Sequence, residues 1–421
     1  MRIIHTSDWH LGRSFHRVGL LAAQAAWLDR LVEVVRAELV DAVVVAGDVY
    51  DRALPGVDVV AVLDDALVRL VDAGAAVILT SGNHDSPHRL GFGARLMESA
   101  RVHVRTTAAG CERPVVFQDR YGDVAVYALP YLEPSLHAAG LRAEASHAAV
   151  LTAAMDAVRT DLAGRGVRRT RSVVSAHAFV VGGHGCDSER DISVGGVPSV
   201  PPTVFHGVDY VALGHLHGRQ ELGPTVRYSG SPVAYSFSEH AHAKGAWLVE
   251  LGPGGVSRVD AVEAPVPRRL AVLRGTLEAL LTDPVLEGVE AAWCQVSLTD
   301  AERPREAMAR VRARFPHTLE LRWQPDAQAQ APQTYRARVG GGRDDVAVCC
   351  SFVEHVRGRR ADAGEFALLR AAVEAGRLVD AEVAWAAPLR AQERRRAAAA
   401  VARESGESAV TCDPVPLQDA G

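Results

Sequence analysis

The chain has 421 residues, 48% apolar and 23% charged, ordinary proportions for a globular protein that argue against a largely disordered or membrane-embedded one. Lysine and arginine number 46 against 51 aspartates and glutamates, a formal charge of −5, so no overall basic field announces a nucleic-acid binder. Any nucleic-acid contact has to be local.

The first residues run directly into Ile3-Ile4-His5-Thr6-Ser7-Asp8 without an apolar signal segment, and no later apolar run approaches ~20 residues. A cytoplasmic protein with no membrane contact is expected. Strand and helix patterns then alternate. A strand begins at Ile3-Ile4, and Leu28, Leu31 and Val35 repeat at helical spacing between Leu20 and Leu39. Ala42 to Ala46 reads as a buried strand, Val59, Leu63, Leu67 and Leu70 as a second helix ending near Gly74, and Ala76 to Leu79 as the next strand. Farther on come strands at Val124–Tyr127, Ser172–Ser175 and Tyr210–Leu213, a helix from Ala148 to Leu162, and a glycine-rich loop, Val181 to Cys186. This is the pattern of a layered α/β domain.

Two prolines in Glu263-Ala264-Pro265-Val266-Pro267 mark a boundary. A smaller unit from about Leu270 to Trp323 follows, with a strand Trp293–Leu298, a helix opening near Pro304 and a strand Thr318–Trp323. Gln324 to Gln333 has linker composition, and two short helical patterns, roughly Val346–Arg357 and Asp362–Ala375, come after it. Arg390 to Arg403 reads as a helical extension that frays into a polar tail. The six cysteines, Cys111, Cys186, Cys294, Cys349, Cys350 and Cys412, lack C-x-x-C spacing and read as reduced thiols, neither disulfides nor zinc ligands.

Five apolar runs each end in a potential metal ligand: Asp8-Trp9-His10, Gly47-Asp48-Val49-Tyr50-Asp51, Gly82-Asn83-His84-Asp85, His177, and Gly214-His215-Leu216-His217. Taken singly these are ordinary turn sequences. Together they point to one site, because the carboxyl ends of strands in an α/β sheet converge on one rim. A set of carboxylates, imidazoles and an amide without thiolate favours manganese, iron or a similar ion over structural zinc. Five clusters suit two ions about 3.5–4 Å apart, an arrangement adapted to phosphoryl chemistry.

In this order the clusters resemble the signature of the calcineurin-like metallophosphoesterases. The resemblance implies one ion held by Asp8, His10, Asp48 and His217, another by Asp48, Asn83, His177 and His215, and Asp48 as the bridge. It gives His84 the departing oxygen, with Asp51 holding its tautomer, and makes Arg52 and Arg190 weaker candidates for phosphate or DNA contact. The stretches Thr6-Ser7-Asp8-Trp9-His10-Leu11-Gly12, Ser188-Glu189-Arg190-Asp191 and Tyr228-Ser229-Gly230-Ser231-Pro232 sharpen it toward the SbcD-type subunits of the bacterial SbcC–SbcD DNA repair nuclease.

That resemblance implies a layered α/β catalytic domain over 1–265, a small α+β capping domain over 270–335, C-terminal helices over 343–390 that dock on a coiled-coil SbcC-type ATPase, and a helical extension with disordered tail over 391–421. It implies a nucleoid-associated enzyme of DNA repair and recombination, a homodimer within a heterotetramer, using two divalent ions with Mn2+ the first choice. Its expected activities are 3′-to-5′ double-strand exonuclease and hairpin or single-strand endonuclease, through water activated by the metals. ATP would enter only through the partner, since the chain has no G-x-x-x-x-G-K-[ST] loop. Two other classes remain open: a phosphodiesterase for cyclic nucleotides or other small molecules, and a non-catalytic scaffold for the ATPase on DNA ends.

Overall fold

The computed structural model describes residues 1–165, 169–190, 199–326, 345–357 and 359–375. Along the chain come β1 (Arg2–Thr6), a small hairpin of β2 (Ser14–Phe15) and β3 (Val18–Gly19), α1 (Leu21–Glu38), β4 (Ala42–Val45), α2 (Val57–Asp72), β5 (Ala76–Thr80), α3 (Pro87–Leu90), α4 (Ala94–Met97) and β6 (Val102–Arg105). The next stretch holds β7 (Val115–Asp119), β8 (Gly122–Ala128), α5 (Pro134–Leu141), α6 (His147–Gly164), β9 (Arg171–His177), β10 (Tyr210–Gly214), β11 (Gln220–Glu221), β12 (Val226–Tyr228), β13 (Gly245–Gly252) and β14 (Gly255–Glu263).

These strands form two sheets, in the orders β14-β13-β1-β4-β5-β6 and β11-β12-β10-β9-β8-β7. In the first, β1, β4, β5 and β6 run parallel, and in the second β8, β9, β10 and β12 do. Both faces of the central strands are apolar, so each residue parity meets a different layer. In β1, β4 and β5, Ile3, Ala42, Val44 and Ile78 pack against Val124, Val126, Val173, Tyr210 and Ala212 of the other sheet. The alternate residues Ile4, Val43, Val45, Val77 and Leu79 face outward onto α1 and α2, meeting Leu28, Leu31, Leu63 and Leu70. On the outer face of the second sheet, Ala125, Tyr127, Val174 and Val211 meet α6 through Val150, Ala154 and Val158. Each fully buried valine, leucine or isoleucine among them contributes about 1.5–3 kcal/mol. The result is four layers, helix–sheet–sheet–helix.

After the prolines come β15 (Leu270–Gly275), α7 (Leu277–Thr282), β16 (Trp293–Leu298), α8 (Ala307–Arg314) and β17 (Thr318–Trp323). The strands make a parallel sheet in the order β15-β16-β17. Val311 and Phe315 bury against Cys294, Val296 and Leu298. Leu270, Trp293 and Leu319 also pack on Phe15, Leu20, Val233, Tyr235 and Phe237, so this small unit is seated on the hairpin and on the segment after β12.

Met1–Asp326 forms one compact unit and Ala327–Gly421 another. Within the second, α9 (Asp345–Arg357) and a helix over 363–375 are described, and Glu365 pairs with Arg357 and Arg359 at 2.6 and 3.0 Å. Asp191, the linker after 326, the extension at 390–403 and Cys412 lie outside the described residues. Among the described residues no helix is long and apolar enough to cross a membrane.

Candidate metal centre

Three of the ligand clusters leave the first sheet, after β1, β4 and β5, and two leave the second, after β9 and β10. The facing sheets bring all five together. The loops after β1 and β4 are zipped by backbone bonds: Asp8 N to Gly47 O (3.1 Å), His10 N to Asp48 O (3.0 Å) and Leu11 N to Val49 O (2.9 Å). From the second sheet, His177 lies opposite Gly214 in the register, so the His177 and His215 rings meet edge to face at 5.3 Å.

Four of the expected ligands, Asp8, His10, Asp48 and His215, have positive φ (51°, 43°, 51° and 107°), a conformation that costs non-glycine residues energy and concentrates at functional sites. The glycines before Asn83 and His215 serve close approach instead. A Cβ on Gly82 would sit 2.1 Å from Asp48 Oδ1, and one on Gly214 would sit 1.9 Å from Ala46 O and 2.9 Å from Ser7 Cβ. Gly214→Ala is therefore expected to destabilise the protein by at least the roughly 1–3 kcal/mol of an overpacked core, measured by urea unfolding.

The donor set suits cations. His177 Nδ1 donates to Ala46 O (2.9 Å), which leaves a lone pair on Nε2, and that atom faces Asn83 Oδ1 at 2.9 Å and Asp48 Oδ2 at 3.5 Å. No proton bridges these electron pairs. His215 Nδ1 also lies 3.2 Å from Asn83 Oδ1. On the other side, His217 Nε2 faces His10 Nε2 at 3.1 Å, and Asp8, His10 and His217 gather within ligand reach of one another, as do Asp8, Asp48 and His177. His10 Nδ1 and Asn83 Nδ2 are buried without a protein partner. Burial, with the neighbouring Asp48 charge, raises the Asp8 carboxyl well above the usual range, and burial lifts Asp48 to about 6. Burial also pushes His177 and His217 down to about 4, and His10 and His215 well below their usual value, so the imidazoles are neutral and free to coordinate. Two buried carboxylates among neutral imidazoles suit positive charge, and the two groups of potential ligands have Asp8 in common.

His84 borders this set. Its backbone N–H donates to Asp48 Oδ1 (2.9 Å), and its Nδ1 donates to the backbone carbonyl of Asp51 (2.9 Å). The resemblance has Asp51 hold the His84 tautomer; the Asp51 carboxylate is 4.0 Å away and lies nearer Arg13 (3.6 Å), Arg52 (3.5 Å) and His10 Nδ1 (3.8 Å). Asp51 therefore orients His84 through its main chain, because the turn points its side chain toward the arginines. Arg52 is 82% exposed, whereas Arg190 reaches the Asn83 carbonyl at 3.2 Å from an exposed position. Arg13 is far less exposed than Arg52, stacks over Tyr235 at 4.9 Å and donates to Ser188 O at 2.5 Å.

Sequence reasoning passed over two positioning residues. Asp85 accepts from Gly82 N (2.9 Å), Val49 N (3.0 Å) and Tyr50 N (2.9 Å), tying the loop after β5 to the loop after β4. Burial and the Asp48 charge push its carboxyl up to about 7 against those three donors. Gln24, buried on α1, grips the loop after β1 by donating to His10 O (2.7 Å) and accepting from Gly12 N (3.0 Å). A glutamine among apolar residues on a helix face was the available signal for the second. Cys186 stands within ligand reach of Glu189 and His217, but burial pushes its thiol up to about 12 and the thiol donates to Glu189 Oε1 at 3.3 Å.

Residues 1–135 match the model of the calcineurin-like phosphoesterases, a span that includes Asp8, His10, Asp48, Asn83 and His84. Residues 266–340 match the SbcD C-terminal domain model, described as the type 5 capsule protein repressor C-terminal domain. Among solved structures, TT1561 of Thermus thermophilus is 14% identical, with 63% of this chain and 99% of that one covered and a TM-score of 0.37. GAP50, the anchor in the inner membrane complex of Plasmodium, is 12% identical with 79% and 99% covered and a TM-score of 0.36. A dimetal phosphatase from Danio rerio is 14% identical with 63% and 99% covered and a TM-score of 0.36.

Proposed function

We propose that this chain, whose residues 1–135 carry a calcineurin-like phosphoesterase domain, is a metal-dependent DNA nuclease that works with a coiled-coil ATPase of the SbcC type in DNA repair and recombination. The observation that carries the reading is the SbcD C-terminal domain match over 266–340 on the same chain as an undiminished ligand set. A scaffold that had lost catalysis would be expected to lack ligands. A small-molecule phosphodiesterase would have less need of the unit built from β15 to β17.

In this reading Asp8, His10, Asp48 and His217 hold one divalent ion, and Asp48, Asn83, His177 and His215 the other, with Mn2+ the best match to a set without thiolate. Bound ions lower the pKa of water and neutralise charge building on the phosphate. His84 deals with the leaving group. With its Nδ1 proton given to the Asp51 carbonyl, Nε2 is the free atom, and it can protonate a departing 3′ oxygen only from the imidazolium form. Arg190, exposed at the Asn83 carbonyl, is placed to meet a phosphate. The partner assembly is two copies of this chain with two of the ATPase, joined through the helices after residue 343.

The test is to incubate the protein in Mn2+ with a hairpin-ended duplex and, separately, with a cyclic nucleotide, each with and without the ATPase. Cleavage of the hairpin in preference to the cyclic nucleotide is expected. The reverse preference would make the chain a small-molecule enzyme. Deleting residues 343–421 is expected to spare Mn2+-dependent cleavage of single strands, since every ligand lies within the compact unit Met1–Asp326, and to abolish ATP-dependent cleavage. Undiminished copurification of the truncated chain with the ATPase would overturn the docking assignment.

A further inference from the structure

Behind His217 lies a chain of polar side chains that the ligand roles do not use. His217 Nδ1 meets Ser188 Oγ at 2.7 Å, and the Ser188 hydroxyl donates to Glu239 Oε1 at 2.6 Å. A serine hydroxyl has one proton. Since that proton goes to the carboxylate, the His217 bond has to run the other way, with Nδ1–H donating to Ser188 Oγ and the lone pair left on Nε2, toward His10. Glu239 is fully buried, and Lys244 Nζ pairs with it while also donating to His217 O (2.9 Å) and Ser231 Oγ (3.0 Å). Tyr235 N (3.0 Å) and Ser236 Oγ (3.1 Å) complete the donors around Glu239 Oε1.

We infer that Glu239 is a positioning residue that acts through Ser188 to hold His217 in the tautomer whose Nε2 can coordinate, and so sets the affinity of one of the two ions. The inference rests on the two-ion reading above. A buried carboxylate beside a buried lysine is costly to desolvate, and the pair adds nothing to packing that apolar side chains could not supply. Its geometry makes sense as orientation of a ligand, the role that carboxylates behind metal-bound imidazoles commonly play. The segment carrying Glu239 is itself pinned, because Val233, Tyr235 and Phe237 lock into the apolar cluster shared with Phe15, Leu270 and Trp293. The carboxylate is thus delivered from a rigid wall to a ligand on a loop.

The experiment titrates Mn2+ into the metal-free full chain by calorimetry for wild type, Glu239→Gln and Ser188→Ala. The serine variant guards against a Glu239→Gln protein that does not fold. Its companion measurement is the nitrogen chemical shift of His217 in histidine-labelled, metal-free protein. Wild type should take up two ions and show Nδ1 protonated. Each variant should bind one ion roughly 10–100-fold more weakly and the other as before, with His217 populating both tautomers. Two ions bound to Ser188→Ala with wild-type affinity, or an unchanged His217 tautomer, would overturn the positioning role and leave the two-ion reading intact. Wild type binding fewer than two ions would instead overturn that reading, and this inference with it.

Discussion

His84→Ala is expected to lower kcat on DNA by roughly 10²–10⁴-fold, the usual worth of a positioned general acid, while two manganese ions remain bound. His84 is near enough to His10 and Asp48 to be grouped with them, but its ring is committed elsewhere. Nδ1 is held by the Asp51 carbonyl, and the contact with Asp48 is made by the backbone N–H, which alanine retains. Substitution should therefore empty the leaving-group position without disturbing the ligands. Elemental analysis of the purified variant decides between the roles, because lost metal would make His84 a ligand. A second readout is leaving-group dependence. On bis-p-nitrophenyl phosphate, whose nitrophenolate needs no proton to depart, the loss should shrink well below the loss on DNA.

Asp48→Asn is expected to abolish activity and the uptake of both ions, because in the proposed assignment Asp48 alone belongs to both ligand sets. Its carboxylate reaches His10 Nε2 and His177 Nε2, each at 3.5 Å, from the middle of the site. Stability should change in the opposite direction. Burial raises the folded Asp48 carboxyl from 3.8 to about 6, so protonation favours the folded state. That contribution is complete below the unfolded value near 4 and is lost as pH rises through about 6; the buried imidazoles, whose pKa is lowered, act in the opposite sense over the same window, so the fall is read as the stability of the metal-free wild type relative to Asp48→Asn. The asparagine variant lacks the Asp48 contribution and keeps that of the imidazoles. Adding Mn2+ at neutral pH to about 100 times its Kd should restore about 2.7 kcal/mol per bound ion to the wild type and nothing to the variant. Thermal unfolding from about pH 4 to about pH 7, with and without Mn2+, measures both effects. An equal Mn2+ shift in the two proteins would remove Asp48 from the centre.

Much of this was legible because it is local. The runs at Ala42–Val45 and Ala76–Thr80 are continuous apolar strands in sequence and in structure, and the helices over Leu21–Glu38 and Val57–Asp72 follow their apolar spacing. The edge strands β6, β7 and β14 were not singled out, since half-exposed edges carry a weaker apolar signal than central strands; β13, paired on both sides, was not singled out either. Convergence of the ligand clusters was expected on one open sheet, whereas two facing sheets supply them. Sequence periodicity reports which residues are buried but not against which layer, so a strand with two apolar faces looks the same in either arrangement.

The sequence by itself determined the candidate ligand types and the strand each one follows, because coordination chemistry and β-strand burial depend on residue identity over a few positions. The tertiary structure alone decided what holds those ligands. That Asp51 orients His84 by a carbonyl, that Asp85 and Gln24 clamp the ligand loops, and that Glu239 stands behind His217 through Ser188 are contacts that bridge 51 residues in the last case. Hydrogen bonds over such separations leave no periodic trace in the chain, because they arise only when packing of the two sheets brings unrelated loops within about 3 Å.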